Sequence, residues 1–157
     1  MEPRIHYVKY SQPALKAMYA LGEEVKKSSL GATLINLISL RASQINGCAY
    51  CIDMHFKDAR ALGESEQRLY SLDAWRETPF YNPRERAALT WTESLTLISQ
   101  NHVPDEIYQQ VREQFSENEI VDLTYAVMAI NAWNRLAISM RAVPGPYQAR
   151  PAAAFAT

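Results

Sequence analysis

The sequence predicts an all-α, single-domain bundle of about seven helices, and three observations carry that reading. The chain has 157 residues with only 5 Gly and 8 Pro, and the prolines fall between apolar runs more often than inside them. Apolar residues recur at helical spacing, with no strand-like alternation of any length. Capping residues stand before the runs, and Gly, Asn or Pro after them. A chain of this length forms one domain and is too short for two ordinary ones. It buries roughly 70% of the surface its unfolded form exposes, so neither a disulfide framework nor a structural metal is required to hold it together.

The elements follow in order. Residues 1–12 form an N-terminal arm, extended from Ile5 to Tyr10. A first helix runs from about Pro13 to Lys27, with Ser11 as its candidate cap and Ala14, Met18, Leu21 and Val25 as its apolar stripe. A second runs from about Gly31 to Ile45, with Leu34, Ile38 and Ile45 near one face and Ile35 and Ala42 widening it; Asn46-Gly47 ends it, because both tolerate the left-handed conformation. Cys48 to Leu62 is the third, closing at Gly63. Ser65 opens a fourth that carries Leu69, Leu72 and Trp75 before Thr78-Pro79 breaks it. Asn82-Pro83, a cap followed by proline at the first helical position, starts a fifth that reaches about Ser99. The sixth spans Pro104 to Phe115, and Ser116-Glu117-Asn118-Glu119, a capping-box spacing, opens a long seventh to about Arg141. The domain is therefore 13–143, and residues 144–157 are expected to be a mobile tail or to lie along a neighbouring subunit. No repeat of fixed period appears.

Charge excludes whole classes of function. Lys and Arg total 16 against 17 for Asp and Glu, a net charge of -1, so nothing draws the chain globally to nucleic acid or to an anionic membrane. The start has no secretory-signal pattern, and the longest charge-free stretch, Ser28 to Leu40, has 13 residues, too few to span a bilayer. The expectation is a soluble cytoplasmic protein with reduced thiols, where a close cysteine pair means catalysis or metal more often than structure.

Both cysteines lie in Gly47-Cys48-Ala49-Tyr50-Cys51-Ile52-Asp53-Met54-His55. At the start of a helix this spacing brings the sulfurs to disulfide distance, and the unpaired N–H groups of the first turn stabilise a thiolate. His55 lies one turn after Cys51 on the same face, where an imidazole can hold or pass its proton. Three readings meet here. The pair and the histidine are core residues, or three ligands of a zinc site whose fourth comes from a partner subunit, or a redox dithiol; the helix start and the spacing favour the dithiol. Helix-terminus electrostatics favour Cys48 as the thiolate, whereas proximity to His55 favours Cys51, and peroxide cleavage needs a proton as well as a thiolate.

The run Leu40 to Cys51, continuing to Asp53-Met54-His55 and Lys57-Asp58-Ala59-Arg60, resembles the core of the alkyl hydroperoxidase D-like proteins of the carboxymuconolactone decarboxylase superfamily. The likeness extends through Pro83 to Glu93 and Ile130 to Leu136. The resemblance implies an all-helical fold, trimers or hexamers, and thiol-dependent reduction of hydroperoxides. Cys51 is then the peroxidatic residue, Cys48 the resolving one and His55 the proton relay. It also implies a lipoyl-linked or thioredoxin-like protein as thiol donor. No Gly-rich phosphate loop or dinucleotide fingerprint appears, so no bound cofactor is expected to supply the electrons.

One position departs from the pattern. Where the family often carries a glutamate, twelve residues before the first cysteine, this chain has Asn36. Glu93, in the mostly uncharged stretch Ala87 to Ser99, is the candidate for the missing carboxylate beside His55. Asp53 falls off the Cys51–His55 face. Tyr50 is expected to cover the site in preference to donating a hydrogen bond to a bound peroxide, Trp91 and Trp133 to be core or subunit-contact residues, and Asn131, Asn134 and Arg135 to form a helix–helix network or an interface. A disulfide reductase and a metal-binding scaffold use the same Cys-Cys-His set. A lactone decarboxylase, the other branch of the superfamily, needs no dithiol.

Overall fold

The computed structural model describes residues 2–149, and every regular element within them is helical. In chain order these are α1 (Gln12–Lys26), α2 (Ala32–Asn46), α3 (Ala49–Ala61), α4 (Glu66–Tyr70), α5 (Pro83–Thr96), α6 (Ile98–Asn101), α7 (Asp105–Arg112) and α8 (Glu117–Met140). Short 3-10 segments occupy Tyr7–Lys9 and Leu72–Glu77. No helix among the described residues is long and apolar enough to cross a membrane.

The local signals act where expected. Asn82 with Glu85 and Ser116 with Glu119 both close full capping boxes, each side chain bonding the other residue's backbone N–H. Gly47 ends α2 in the left-handed region at φ 69° and ψ 32°, which turns the chain sharply into α3. Ser11 does stand at the N-cap of α1, but its own backbone is left-handed and its hydroxyl makes no capping bond.

Two helices are shorter than the periodicity suggests. The fourth breaks into α4 and the 3-10 segment, because Leu69, Leu72 and Trp75 are spaced by three. A 3-10 turn eclipses such residues and lets all three be buried. The fifth stops at Thr96 because Asn101 turns its amide back onto the carbonyls of Ser94 and Leu97, a side-chain substitute for the helix ladder.

Helix α2 is the axis of the molecule and packs on α3, α5 and α8. Residues Asn36 to Leu40 are all buried, so it is enclosed on more faces than the stripe read from its sequence. The arm and the described part of the tail lie against its neighbours α8 and α3. The arm contains a 3-10 turn where extended chain was expected, and Arg4 bonds the carbonyls of Met140 and Ser139 at the end of α8. The described part of the tail is laid across α3. Asp53 accepts from the Gly145 N–H, Lys57 donates to the carbonyls of Gly145 and Tyr147, and the Tyr147 hydroxyl bonds Asp58 at 2.7 Å. Residues 150–157 lie outside the described residues.

Candidate active site

The site is built on the corner between α2 and α3. Cys48 is the N-cap of α3, and its backbone N–H bonds the Ser43 carbonyl at 2.9 Å. Cys48 and Cys51 are joined as a disulfide, with Cα atoms 5.4 Å apart. The Cys51 N–H points at the Cys48 sulfur at 3.3 Å, as the free donors of a first helical turn allow. The corner itself is held from α8. Asn46 donates to Asn131 and Asn134, and Asn134 donates to the Ser43 hydroxyl, so the expected polar network braces the turn that presents Cys48.

His55, one turn after Cys51, faces back across the corner to Asn36. Its Nδ1 lies 3.0 Å from the Asn36 Oδ1, while the Asn36 Nδ2 donates to the Ala32 carbonyl at 3.1 Å. That second bond assigns the amide, and the amide assigns the imidazole. The oxygen facing His55 can only accept, so Nδ1 carries the hydrogen and Nε2 keeps its lone pair. Burial pushes the imidazole pKa down from 6.5 to about 4, so the ring is neutral near pH 7. The position at which this chain carries Asn36 therefore faces His55, with an amide where a carboxylate would raise the basicity of the ring.

Cys51 and His55 open on a cavity of about 350 Å³ between α1, α2, α3 and α8. Its walls are largely apolar, with Tyr19, Tyr50, Trp133 and Met54 among alanine, valine and isoleucine side chains; Tyr7 from the arm and Tyr147 from the tail also line it, as do the charged residues Glu23, Lys26 and Asp58. Tyr19 and Trp133 pack at 5.1 Å between ring centroids. Burial, with the neighbouring phenols, raises the Tyr50 and Tyr7 hydroxyls above their ordinary pKa, so these groups remain neutral. The cavity offers a molecule a largely apolar lining.

Glu93 is elsewhere, and this corrects the expectation that it serves His55. It accepts from the Arg41 Nε at 2.7 Å, from the Trp75 indole at 2.8 Å, and from Arg76. Burial would raise its pKa, but these donors outweigh that and hold it below the usual carboxylate range. A mostly uncharged helix face signals burial, and here the partners are cations on α2 and on the 3-10 segment. Asp53 is engaged by Lys57 and the tail, off the Cys51–His55 face as expected. Trp91 is buried and donates to Thr124, whereas Trp133 lines the cavity. Ser39 and the two terminal tyrosines escaped the sequence reading because only the assembled fold brings them to the cavity. Among the described residues no group of three or more His, Cys, Asp and Glu side chains is arranged to hold a metal ion.

Fold and site together define an all-helical dithiol protein, with a Cys-x2-Cys pair at a helix N-terminus and a histidine one turn on. The chain matches the carboxymuconolactone decarboxylase family over residues 12–94, more than half of its length, and belongs to that family. It is 47% identical over 140 residues to the uncharacterised protein YdfG of Bacillus subtilis (strain 168), which covers 89% of this chain and 95% of that one. It is also similar to ATU0492 of Agrobacterium tumefaciens, a protein of unknown function for which the antioxidant-defence role of AhpD has been suggested. That match has a TM-score of 0.89 and 44% identity, and covers 93% of this chain and 100% of that one. Within the family this is an AhpD-like protein. The debrominase Bmp8 shares the fold alone, at a TM-score of 0.70 and 20% identity over 86% of this chain and 73% of that one.

Proposed function

We propose that the protein is a thiol-dependent peroxidase that reduces organic hydroperoxides in antioxidant defence. The observation that carries the reading is the Cys48–Cys51 pair at the start of α3, with Cys51 and His55 lining one largely apolar cavity. In the reduced form the Nε2 lone pair of His55 takes the Cys51 proton. The thiolate attacks the terminal oxygen of the hydroperoxide, an S–O bond forms as the O–O bond breaks, and the proton goes to the departing alkoxide to give an alcohol. Cys48 then displaces water from the Cys51 sulfenic acid and the disulfide closes. A thiol donor, of lipoyl-linked or thioredoxin-like type, returns two electrons. The exposed stripe Val121, Tyr125 and Met128 on α8 supports assembly into a trimer or hexamer.

A second reading, disulfide reductase with little peroxidase activity, draws support from the neutral, weakly basic His55. One experiment separates the two. Reduced protein receives one equivalent of cumene hydroperoxide, and free thiols and intact mass are then recorded. Loss of both thiols with loss of two hydrogens supports the peroxidase, whereas unchanged thiols leave the reductase. In the peroxidase, Cys51→Ser abolishes turnover, while Cys48→Ser consumes one equivalent and stops at the sulfenic acid.

A further inference from the structure

Helix α2 turns a polar stripe toward α3 and α8, made of Asn36, Ser39 and Ser43 at helical spacing. All three are buried. Asn36 is bonded to His55 and to the Ala32 carbonyl. The Ser43 hydroxyl donates to the Ser39 carbonyl and accepts from Asn134. The Ser39 hydroxyl, between them, has no hydrogen-bond partner among the described residues, although Ser43, Thr90, Thr92 and Thr124 all bond a carbonyl four residues back. Among the described residues no fully enclosed side-chain oxygen or nitrogen lacks a partner, so this hydroxyl keeps some exposure, and Ser39 lines the cavity that Cys51 and His55 also line.

The register of the corner places it more closely. Asn36 faces His55, and the Ser43 carbonyl meets the Cys48 N–H. The same antiparallel register sets Ser39 level with Ile52, the residue next to Cys51. A hydroxyl with no protein partner is free to donate to a bound molecule, and this one lines the same cavity as Cys51.

We propose that Ser39 is a catalytic residue whose hydroxyl donates a hydrogen bond to the oxygen that leaves when Cys51 attacks a hydroperoxide. This rests on the peroxidase reading and deepens it. As the O–O bond breaks, the sulfur keeps the terminal oxygen, and the negative charge develops on the oxygen that stays with the organic group. A fixed donor is most useful at that atom. The proton lost by the Cys51 thiol ends on the same oxygen, and the Ser39 hydroxyl keeps its own. Asn36 offers His55 an amide where a carboxylate would stabilise the protonated ring, so a second donor at the leaving oxygen adds to the proton that His55 returns.

The test uses Cys48→Ser protein, in which Cys51 is the only thiol and its first oxidation is observed alone. Rapid-quench thiol counting gives the rate with cumene hydroperoxide, and alkylation by iodoacetamide measures the same thiol against an electrophile with no O–O bond. Adding Ser39→Ala is expected to slow the hydroperoxide reaction at least roughly tenfold and to leave alkylation within about twofold. Adding Ser39→Thr, which keeps the hydroxyl, is expected to recover most of the rate. Equal hydroperoxide rates with serine and alanine, or equal slowing of both reactions, would overturn the role of Ser39 and leave the peroxidase standing. A parent protein that consumes no hydroperoxide would overturn the peroxidase reading, and Ser39 with it.

Discussion

Helix α2 carries two polar clusters little more than one turn apart, and they are opposites. At Asn36 every group is neutral. The amide holds His55, and the surrounding polar atoms open on a largely apolar cavity. At Arg41 the groups are charged and closely paired, with Glu93 accepting from Arg41, Trp75 and Arg76, and Arg41 also reaching Asp73 and Gln44. A carboxylate held by three donors has little capacity left to take a proton, and it ties α5 to α2 and to the 3-10 segment. A neutral imidazole with one free nitrogen can move a proton but contributes less to holding the fold. The contrast explains why the carboxylate that looked catalytic is structural, while the residue that looked like a loss, Asn36, orients the chemistry.

The largest effect that separates the clusters is Glu93→Ala. It leaves Arg41, whose side chain is only 12% exposed, short of its principal partner, and a stability loss of about 3 kcal/mol in urea denaturation is expected. The rate of Cys51 oxidation per folded molecule should not change; a matching drop would return Glu93 to the active site.

Acid provides the next test, because the His55 pKa falls from 6.5 unfolded to about 4 folded. The unfolded chain binds the proton first. The stability associated with a neutral His55 is present above pH 6.5 and is lost as the pH falls toward 4, by up to about 3 kcal/mol. Urea midpoints at pH 7 and pH 4.5 measure it. His55→Gln, which has no proton to gain, should lose distinctly less between the same two values, and identical losses would mean that His55 is not held neutral by burial.

The smallest expected effect sharpens the comparison by making one cluster resemble the other. Asn36→Glu puts a carboxylate on the His55 Nδ1, which raises the imidazole pKa and should speed Cys51 oxidation by about tenfold near pH 7. The acid-induced loss should shift with it, and the new buried carboxylate should lower overall stability. An unchanged rate would mean that proton transfer through His55 does not limit the reaction.

Much of this was legible before any fold was assembled. The helix boundaries at Asn82-Pro83 and Ser116–Glu119, the turn at Gly47, and the Cys48, Cys51 and His55 constellation all depend on residues within one or two turns of each other, and short-range sterics and hydrogen bonding decide them. Where periodicity misled, other local chemistry prevailed: the three-residue spacing of Leu69, Leu72 and Trp75 favoured a 3-10 turn, and the Asn101 side chain displaced the last turn of α5. That Asn131 and Asn134 belong to a subunit interface or a helix–helix network was readable, because polar groups on an apolar helix must find partners; that the partners are Asn46 and Ser43 was decided by the fold.

By itself, then, the sequence determined the class of the fold, the dithiol and its histidine, since spacing along a helix is set by its pitch. Tertiary structure alone decided which partner each long-range polar group meets. Glu93 lies 52 residues from Arg41 and 38 from His55, and only the rotation of α5 against α2 selects between them. The same packing brings Tyr7 and Tyr147 from the two ends of the chain to one cavity and sets Ser39 in its lining. The physical reason is that a helix's pitch follows from its own backbone, whereas which face meets which neighbour is settled by the burial of all the helices together.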